Sequence, residues 1–228
     1  MRCIFCKVDS QSARSVEHIV PESLGNIDHT LPVGSVCDWC NEYFGRKIEG
    51  PILQSGIFRL LRADRRIENK GGKIPVLDSR HMPNLPDYRL MSRFIGKVGL
   101  EALAHRVKDV TDWNVEIVDK AELDPIREYV RFNRGKTTWP FTYRTLYPVN
   151  AVFNDGQEYY DLPHEFDLLY TEGKELYIVL VVFGVEFALN LGGPELDGYD
   201  KWLAGHDFAS PLYTGKNSQH PGRTGRQP

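Results

Sequence analysis

Nothing in this chain approaches the roughly 18 consecutive apolar residues that a membrane span requires. The longest apolar stretch, Leu176 to Val185 interrupted by Gly184, reads instead as a buried strand. The opening Met1-Arg2-Cys3-Ile4-Phe5-Cys6 has no apolar core of the kind an export signal carries, so none is expected. There is no internal repeat. Neither sign of charge dominates: the net charge is −3, with 26% charged and 41% hydrophobic residues, the balance of a soluble globular protein. Cysteine is scarce, four residues in 228. With no export signal, thiols at metal-like spacing point to a reducing, cytoplasmic setting.

Those four cysteines form two Cys-x-x-Cys pairs, Cys3 with Cys6 and Cys37 with Cys40, and none is left over. Two close thiolate pairs can supply a tetrahedral four-cysteine zinc site, the usual geometry of a structural zinc. The 30 residues between the pairs exceed the roughly 15–20 of a simple zinc ribbon. The extra length leaves room for a small structured insert. It contains Ser15-Val16-Glu17-His18-Ile19-Val20-Pro21, and Asn41 follows the last cysteine directly.

The modest net charge hides an asymmetry. Residues 57–80 carry seven Arg or Lys against three acids, and residues 127–144 carry five against Glu128 alone. Residues 151–210 carry twelve acids against two lysines. Such polarity suits one face that meets a polyanion and another kept away from it. Residues 1–50 are not basic, with five Arg or Lys against seven acids, so affinity for a polyanion must come from elsewhere in the chain. Arg131, Arg134 and Lys136 lie among Phe132, Trp139, Phe141 and Tyr143, a mixture that suits a nucleic-acid backbone and unstacked bases. Arg46 and Lys47, just past the last cysteines, are further candidates for phosphate contact.

Cleaving a phosphodiester needs a base for water, a hard cation for the developing charge and a scaffold that fixes both. His18 can be the base. Glu17 can give a carboxylate oxygen and Asn41 an amide oxygen to Mg²⁺, which prefers oxygen ligands. Neighbouring strand residues normally point to opposite faces, so Glu17 and His18 converge only where the strand ends or twists. Pro21, which cannot continue a ladder, is compatible with such an end.

Cys3-Ile-Phe-Cys6, Glu17-His18-Ile-Val-Pro21-Glu-Ser-Leu-Gly25 and Val36-Cys37-Asp-Trp-Cys40-Asn41-Glu-Tyr-Phe44-Gly45 together resemble an HNH endonuclease of the Glu-His-Ile-x-Pro type with two zinc knuckles. The resemblance covers about residues 1–50. It implies a ββα-metal fold, one catalytic Mg²⁺ or Mn²⁺, a structural Zn²⁺ and hydrolysis of DNA to a 5′-phosphate product. By position His18 is the general base, Glu17 and Asn41 are the cation ligands, and Cys3, Cys6, Cys37 and Cys40 are the zinc ligands. For the middle residue of the motif, which orients the base, the loop offers Asn26, His29 and Thr30, of which His29 is taken. One active site cuts one strand, so double-strand cleavage requires a homodimer or two events.

The expected architecture is α+β. A zinc module over 1–50 contains a strand at 16–20, a loop at 22–29, a second strand at 31–36 and a helix from about Cys40. A helical region over 51–110 follows the break at Gly50-Pro51, with helices at 57–68 and 89–107, the latter amphipathic. A β-rich region over 111–213 has strands at 114–118, 127–133, 165–171, 176–183 and 185–191, with Glu172-Gly173-Lys174 as a tight hairpin turn. Residues 214–228 lack apolar side chains and are expected to be disordered. Two other readings of the pattern are a non-catalytic zinc-stabilised DNA-binding protein and a protein-interaction module fused to a ligand-sensing β domain.

Overall fold

The computed structural model describes residues 1–69, 71–76, 84–135, 137–146 and 164–212. Lys136, the tail at 214–228 and residues 81–83 of the proline-rich stretch at 81–88 lie outside the described residues. The chain begins with a tight knuckle turn, in which Lys7 N–H donates to the Cys3 carbonyl at 2.9 Å and Lys7 adopts φ +62°. A two-residue strand, β1 (Glu17–His18), pairs antiparallel with β2 (Thr30–Leu31), placing Glu17 opposite Leu31 and His18 opposite Thr30. Both strands are shorter than the sequence suggested. After Pro21 the chain turns through a 3₁₀ segment, Glu22–Leu24, ended by Gly25 in the left-handed region at φ +86°.

Helix α1 (Asp38–Phe44) starts directly after Cys37. The Asp38 carboxylate accepts from the Ser15 hydroxyl and from the backbone N–H groups of Arg14 and Ser15, which fastens the lead-in of β1 to the helix start. The break expected at Gly50-Pro51 is instead a widened, π-type turn, Gly45–Glu49, that runs into α2 (Gly50–Gln54). Pro51 has no N–H to continue a regular ladder, and a wider turn accommodates it. A Cβ at Gly50 would sit 2.8 Å from the Gly45 carbonyl oxygen, so the widened turn depends on that glycine.

Three further helices follow. These are α3 (Gly56–Asp64), α4 (Tyr88–Val107) and α5 (Trp113–Asp119). Asp87 caps α4 by accepting from Leu90 N–H at 3.0 Å. The segments expected as strands at 114–118 and 127–133 are helical, as α5 and as α6 (Asp124–Phe132). Their β-branched and aromatic residues look strand-like. However, Ile126 with Tyr129 and Val130 recur at helical spacing, Pro125 suits a first turn, and packing against α4 decides the outcome. Asn133 ends α6 in the left-handed region at φ +56°.

A four-stranded antiparallel sheet is formed by β3 (Thr142–Thr145), β4 (His164–Tyr170), β5 (Leu176–Val182) and β6 (Val185–Asn190), in the order β3-β6-β5-β4. The β4–β5 hairpin turns through residues 172–174 as expected, with Lys174 at φ +63°. On one face Ile178, Leu180 and Val182 join the main core. On the other, Tyr177, Val179 and Val181 pack with Tyr199 and Leu203 of α7 (Asp197–Gly205). Burial on both faces explains why β5 reads as an uninterrupted apolar run. Among the described residues no helix is long and apolar enough to cross a membrane. The fold is α+β, with a ββα unit at the N-terminus, helices next and an antiparallel sheet after them.

The amphipathic face expected of α4 understates its position. Thirteen of its residues, from Met91 to Ala104, are buried, because the helix lies between the ββα unit and α6 on one side and the sheet on the other. A single core cluster runs from Cys3 to Leu191 through α4. Two glycines let α4 pack this closely. A Cβ at Gly96 would meet Val130 at 2.8 Å, and one at Gly99 would lie 2.7 Å from Leu191 and 2.9 Å from Ile178. Gly99→Val should therefore overpack the helix–sheet contact and cost about 1–3 kcal/mol, measured as a lower urea midpoint at an unchanged slope. A midpoint equal to that of the wild type would refute the close packing.

Candidate functional site

The four cysteine sulfurs lie within 4.8 Å of one another, and Cys6 Sγ is 3.6 Å from Cys37 Sγ. Four sulfurs around one zinc at about 2.3 Å would stand about 3.8 Å apart, so the set fits a tetrahedral ion. Hydrogen bonding from Cys3 and Cys40 holds the Cys6 thiol down at about 4, while the Cys3 and Cys6 sulfurs push Cys40 far upward.

Two buried arginines of α6 serve these knuckles. Arg127 donates from Nε to the Ile4 carbonyl of the first knuckle at 2.8 Å, and its other nitrogens reach the Ile117 and Lys120 carbonyls and Asp124. Arg131 donates from Nε to Cys40 Sγ at 3.0 Å. Its guanidinium stacks over Tyr43 at 4.0 Å and Trp39 at 4.3 Å. Arg131 was expected to contact DNA. At 3% exposure, and spent on a cysteine sulfur, it is not a surface cation. If the four cysteines hold a divalent ion as thiolates, the site carries a formal −2, which these two buried positive charges would oppose.

Along α1 and the end of β1, a cleft of about 210 Å³ is lined by Glu17, His18, Glu22, Asn41, Gly45, Glu49 and neighbouring residues. Three of the expected residues, Glu17, His18 and Asn41, thus come together. The end of β1 at His18 permits it, with Pro21 ending the extended run. His18 Nε2 lies 3.2 Å from Glu22 Oε1, and its Nδ1 is buried with no partner. Nε2–H donating to the carboxylate would leave the lone pair on Nδ1. Asn41 Nδ2 donates to the Val16 carbonyl at 3.3 Å, tying the helix start to β1.

Glu17 is 6% exposed and its Oε1 lies 2.7 Å from Lys97 Nζ. The same ammonium lies 2.8 Å from Glu49 Oε1 and 2.9 Å from Glu101 Oε2, and donates to the His18 carbonyl at 3.3 Å. Burial opposes the charge on Lys97, but attraction to Glu101, Glu17 and Glu49 outweighs it and lifts the ammonium well above its usual range. Burial likewise pushes the Glu17 and Glu101 carboxyls upward against the pull of Lys97. Glu17 Oε2 is left buried without a partner. That orphaned oxygen, with carboxylate and amide donors around one cleft, fits a hard, oxygen-seeking divalent cation.

His29 does not join the cleft. Its ring packs edge-on to Phe166 at 5.1 Å, His105 at 6.0 Å and His164 at 6.2 Å. Burial lowers all three histidines, His164 to about 4. The residue that organises the loop is Asn26. It is buried, its Nδ2 donates to the Val20 and His29 carbonyls at 2.7 and 3.0 Å, and its Oδ1 accepts from His29 N–H at 2.9 Å. Such bonding holds the β1–β2 connection and with it the position of His18. Arg46 and Lys47 are exposed on a different face, beside a hollow with Trp39 and Tyr43, and Arg46 pairs with Glu42 at 2.8 Å. Arg134 is exposed and pairs with Glu128. Arg144 is structural, held with the Tyr199 hydroxyl on Glu186.

Sequence reasoning missed Glu22, Glu49, Lys97 and Glu101. Glu22 could have been found four residues after His18. Arg93, Lys97 and Glu101 recur every fourth residue in α4, a polar row within an otherwise buried helix. Substituting Arg131→Gln should weaken zinc binding by about 10–100-fold, as loss of an outer-shell partner does. Competition with a chromogenic chelator would measure it, with exposed Arg134→Gln as the control. Equal zinc affinity in Arg131→Gln and wild type would show that the Cys40 bond is incidental.

Neither curated proteins nor solved structures give a match to this chain. The comparison with family models does. Residues 3–55, which carry both knuckles, β1, β2, α1 and the whole lining of the cleft, match the family described as HNH endonuclease.

Proposed function

We propose that the protein is a divalent-metal-dependent DNA endonuclease that hydrolyses phosphodiester bonds. The observation that carries this reading is the convergence of His18, Glu17 and Asn41 on one cleft inside the segment that matches the HNH endonuclease family. Glu17, through Oε2, and Asn41 would hold Mg²⁺ or Mn²⁺. When bound, the ion would offset charge building on the phosphate and on the leaving 3′ oxygen.

The chain's own groups do the rest. Glu22 accepts from His18 Nε2–H, which fixes the tautomer and leaves Nδ1 to take a proton from water. The water oxygen then bonds to phosphorus, the bond from phosphorus to the 3′ oxygen breaks, and that oxygen takes a proton from solvent. Asn26 and the bond from Asn41 to Val16 keep β1 and α1 in register, so the base and the cation ligands hold one geometry. The zinc site is structural in this reading, since four cysteines would fill a tetrahedral ion and leave no position for water or substrate. Arg46, Lys47 and Arg134 are the exposed cations assigned to the DNA backbone.

Supercoiled plasmid with Mg²⁺ or Mn²⁺ tests the reading. Wild type should nick or linearise the DNA, EDTA should abolish this, and His18→Ala should be slower by about 10²–10⁴-fold, the usual contribution of a general base. A His18→Ala protein that cuts as fast as the wild type would remove His18 from the chemistry. If both proteins bind DNA but neither cuts, the fold is a binding module.

A further inference from the structure

The cleft contains one carboxylate that the proposed chemistry has not used. Glu49 ends the widened turn, and the cleft is lined by Asn41, Gly45, Glu49 and Leu53, every fourth residue of one continuous helical run. A spacing of four drifts around a regular helix of about 3.6 residues per turn. A widened turn between Phe44 and Gly50 takes up that drift and stacks Glu49 on the same face as Asn41. Gly45 stands between them, and no atom lies within 4 Å of where its Cβ would be, so the space between the two side chains is open.

From behind, Lys97 takes one oxygen from each glutamate, Glu17 Oε1 at 2.7 Å and Glu49 Oε1 at 2.8 Å. The pair is therefore held on a common anchor. The second oxygen of Glu17, on a side chain more than nine-tenths buried, has no partner. Glu101 is fully buried and lies outside the lining, so of the three carboxylates on Lys97 it is Glu17 and Glu49 that face the cleft, where there is room for a cation.

We propose that Glu49 is a further oxygen ligand of the cation held by Glu17 and Asn41, and that Lys97 is the positioning residue that sets the two glutamates toward it. The inference rests on the nuclease reading for the existence of that cation. It draws a residue from outside the family-matching segment, Lys97, into the assembly of the site. In purely structural terms, Glu49 would be only a counter-ion for a buried lysine, and neutralising it would lower the melting temperature without changing Mn²⁺ affinity.

Mn²⁺ binding to the zinc-loaded, full-length protein separates the two accounts. Free Mn²⁺ would be followed by electron paramagnetic resonance, with thermal melting as a check on folding. Glu49→Gln keeps the shape and an oxygen for Lys97, and it should raise the Mn²⁺ dissociation constant at least about tenfold. Glu49→Asp keeps the charge but withdraws the carboxylate by one methylene, and its affinity should fall between the two. Glu42→Gln, outside the cleft lining and paired with Arg46, should bind as the wild type does. Wild-type affinity in Glu49→Gln or Glu49→Asp overturns the proposal while leaving the nuclease reading intact. A wild type that binds no Mn²⁺ overturns both.

Discussion

The ammonium of Lys97 is wholly buried, and three carboxylates lie within 2.9 Å of it. A buried charge is tolerated only where partners offset the loss of water, and removing one member of such a group costs about 3–5 kcal/mol. These partners come from three parts of the chain: Glu17 on β1, Glu49 on the widened turn and Glu101 on α4 itself. The bond from Lys97 to the His18 carbonyl adds the backbone of the proposed base. One side chain thus fixes the relation between the short hairpin, the helix after it and the central helix of the molecule.

The same logic applies to the zinc knuckles. So small a ββα unit has little core of its own, and metal binding supplies much of the folding free energy of such units. Here the unit also leans on the rest of the chain. Arg127 holds a carbonyl of the first knuckle and Arg131 a sulfur of the second, both from α6. Arg93 of α4 bridges the Tyr43 hydroxyl and the Val130 carbonyl. The cationic and anionic interior of this protein is therefore concentrated where the ββα unit meets α4 and α6. The sheet and α7, by contrast, are assembled mainly from apolar faces.

What could be read from sequence was what local geometry dictates. Cys-x-x-Cys spacing brings two sulfurs together within one turn of chain, so the four-cysteine cluster was legible. Glu17, His18 and Asn41 were legible because a short hairpin and the first turn of a helix are local structures too. The strands at 164–190 declared themselves through apolar runs broken by a tight turn. The failures have a common cause. α5 and α6 carry β-branched residues whose local preference is ambiguous, and only packing against α4 resolves it. Arg131 looked like a DNA contact because its sequence neighbours are basic and aromatic, whereas its partner is 91 residues away. Lys97 meets the His18 carbonyl across 79 residues, a contact no local pattern encodes. His29 looked available because it follows the motif, but the loop turns its ring toward His164 and Phe166, and Asn26 takes the organising role.

Anomalous diffraction from crystals of the zinc-loaded protein soaked in Mn²⁺, recorded on either side of the zinc and manganese edges, tests the central claim most directly. The account predicts a zinc peak among Cys3, Cys6, Cys37 and Cys40 and a manganese peak in the cleft, with oxygen ligands from Glu17, Asn41 and Glu49. A manganese peak at the His29, His105 and His164 cluster with none in the cleft would contradict it.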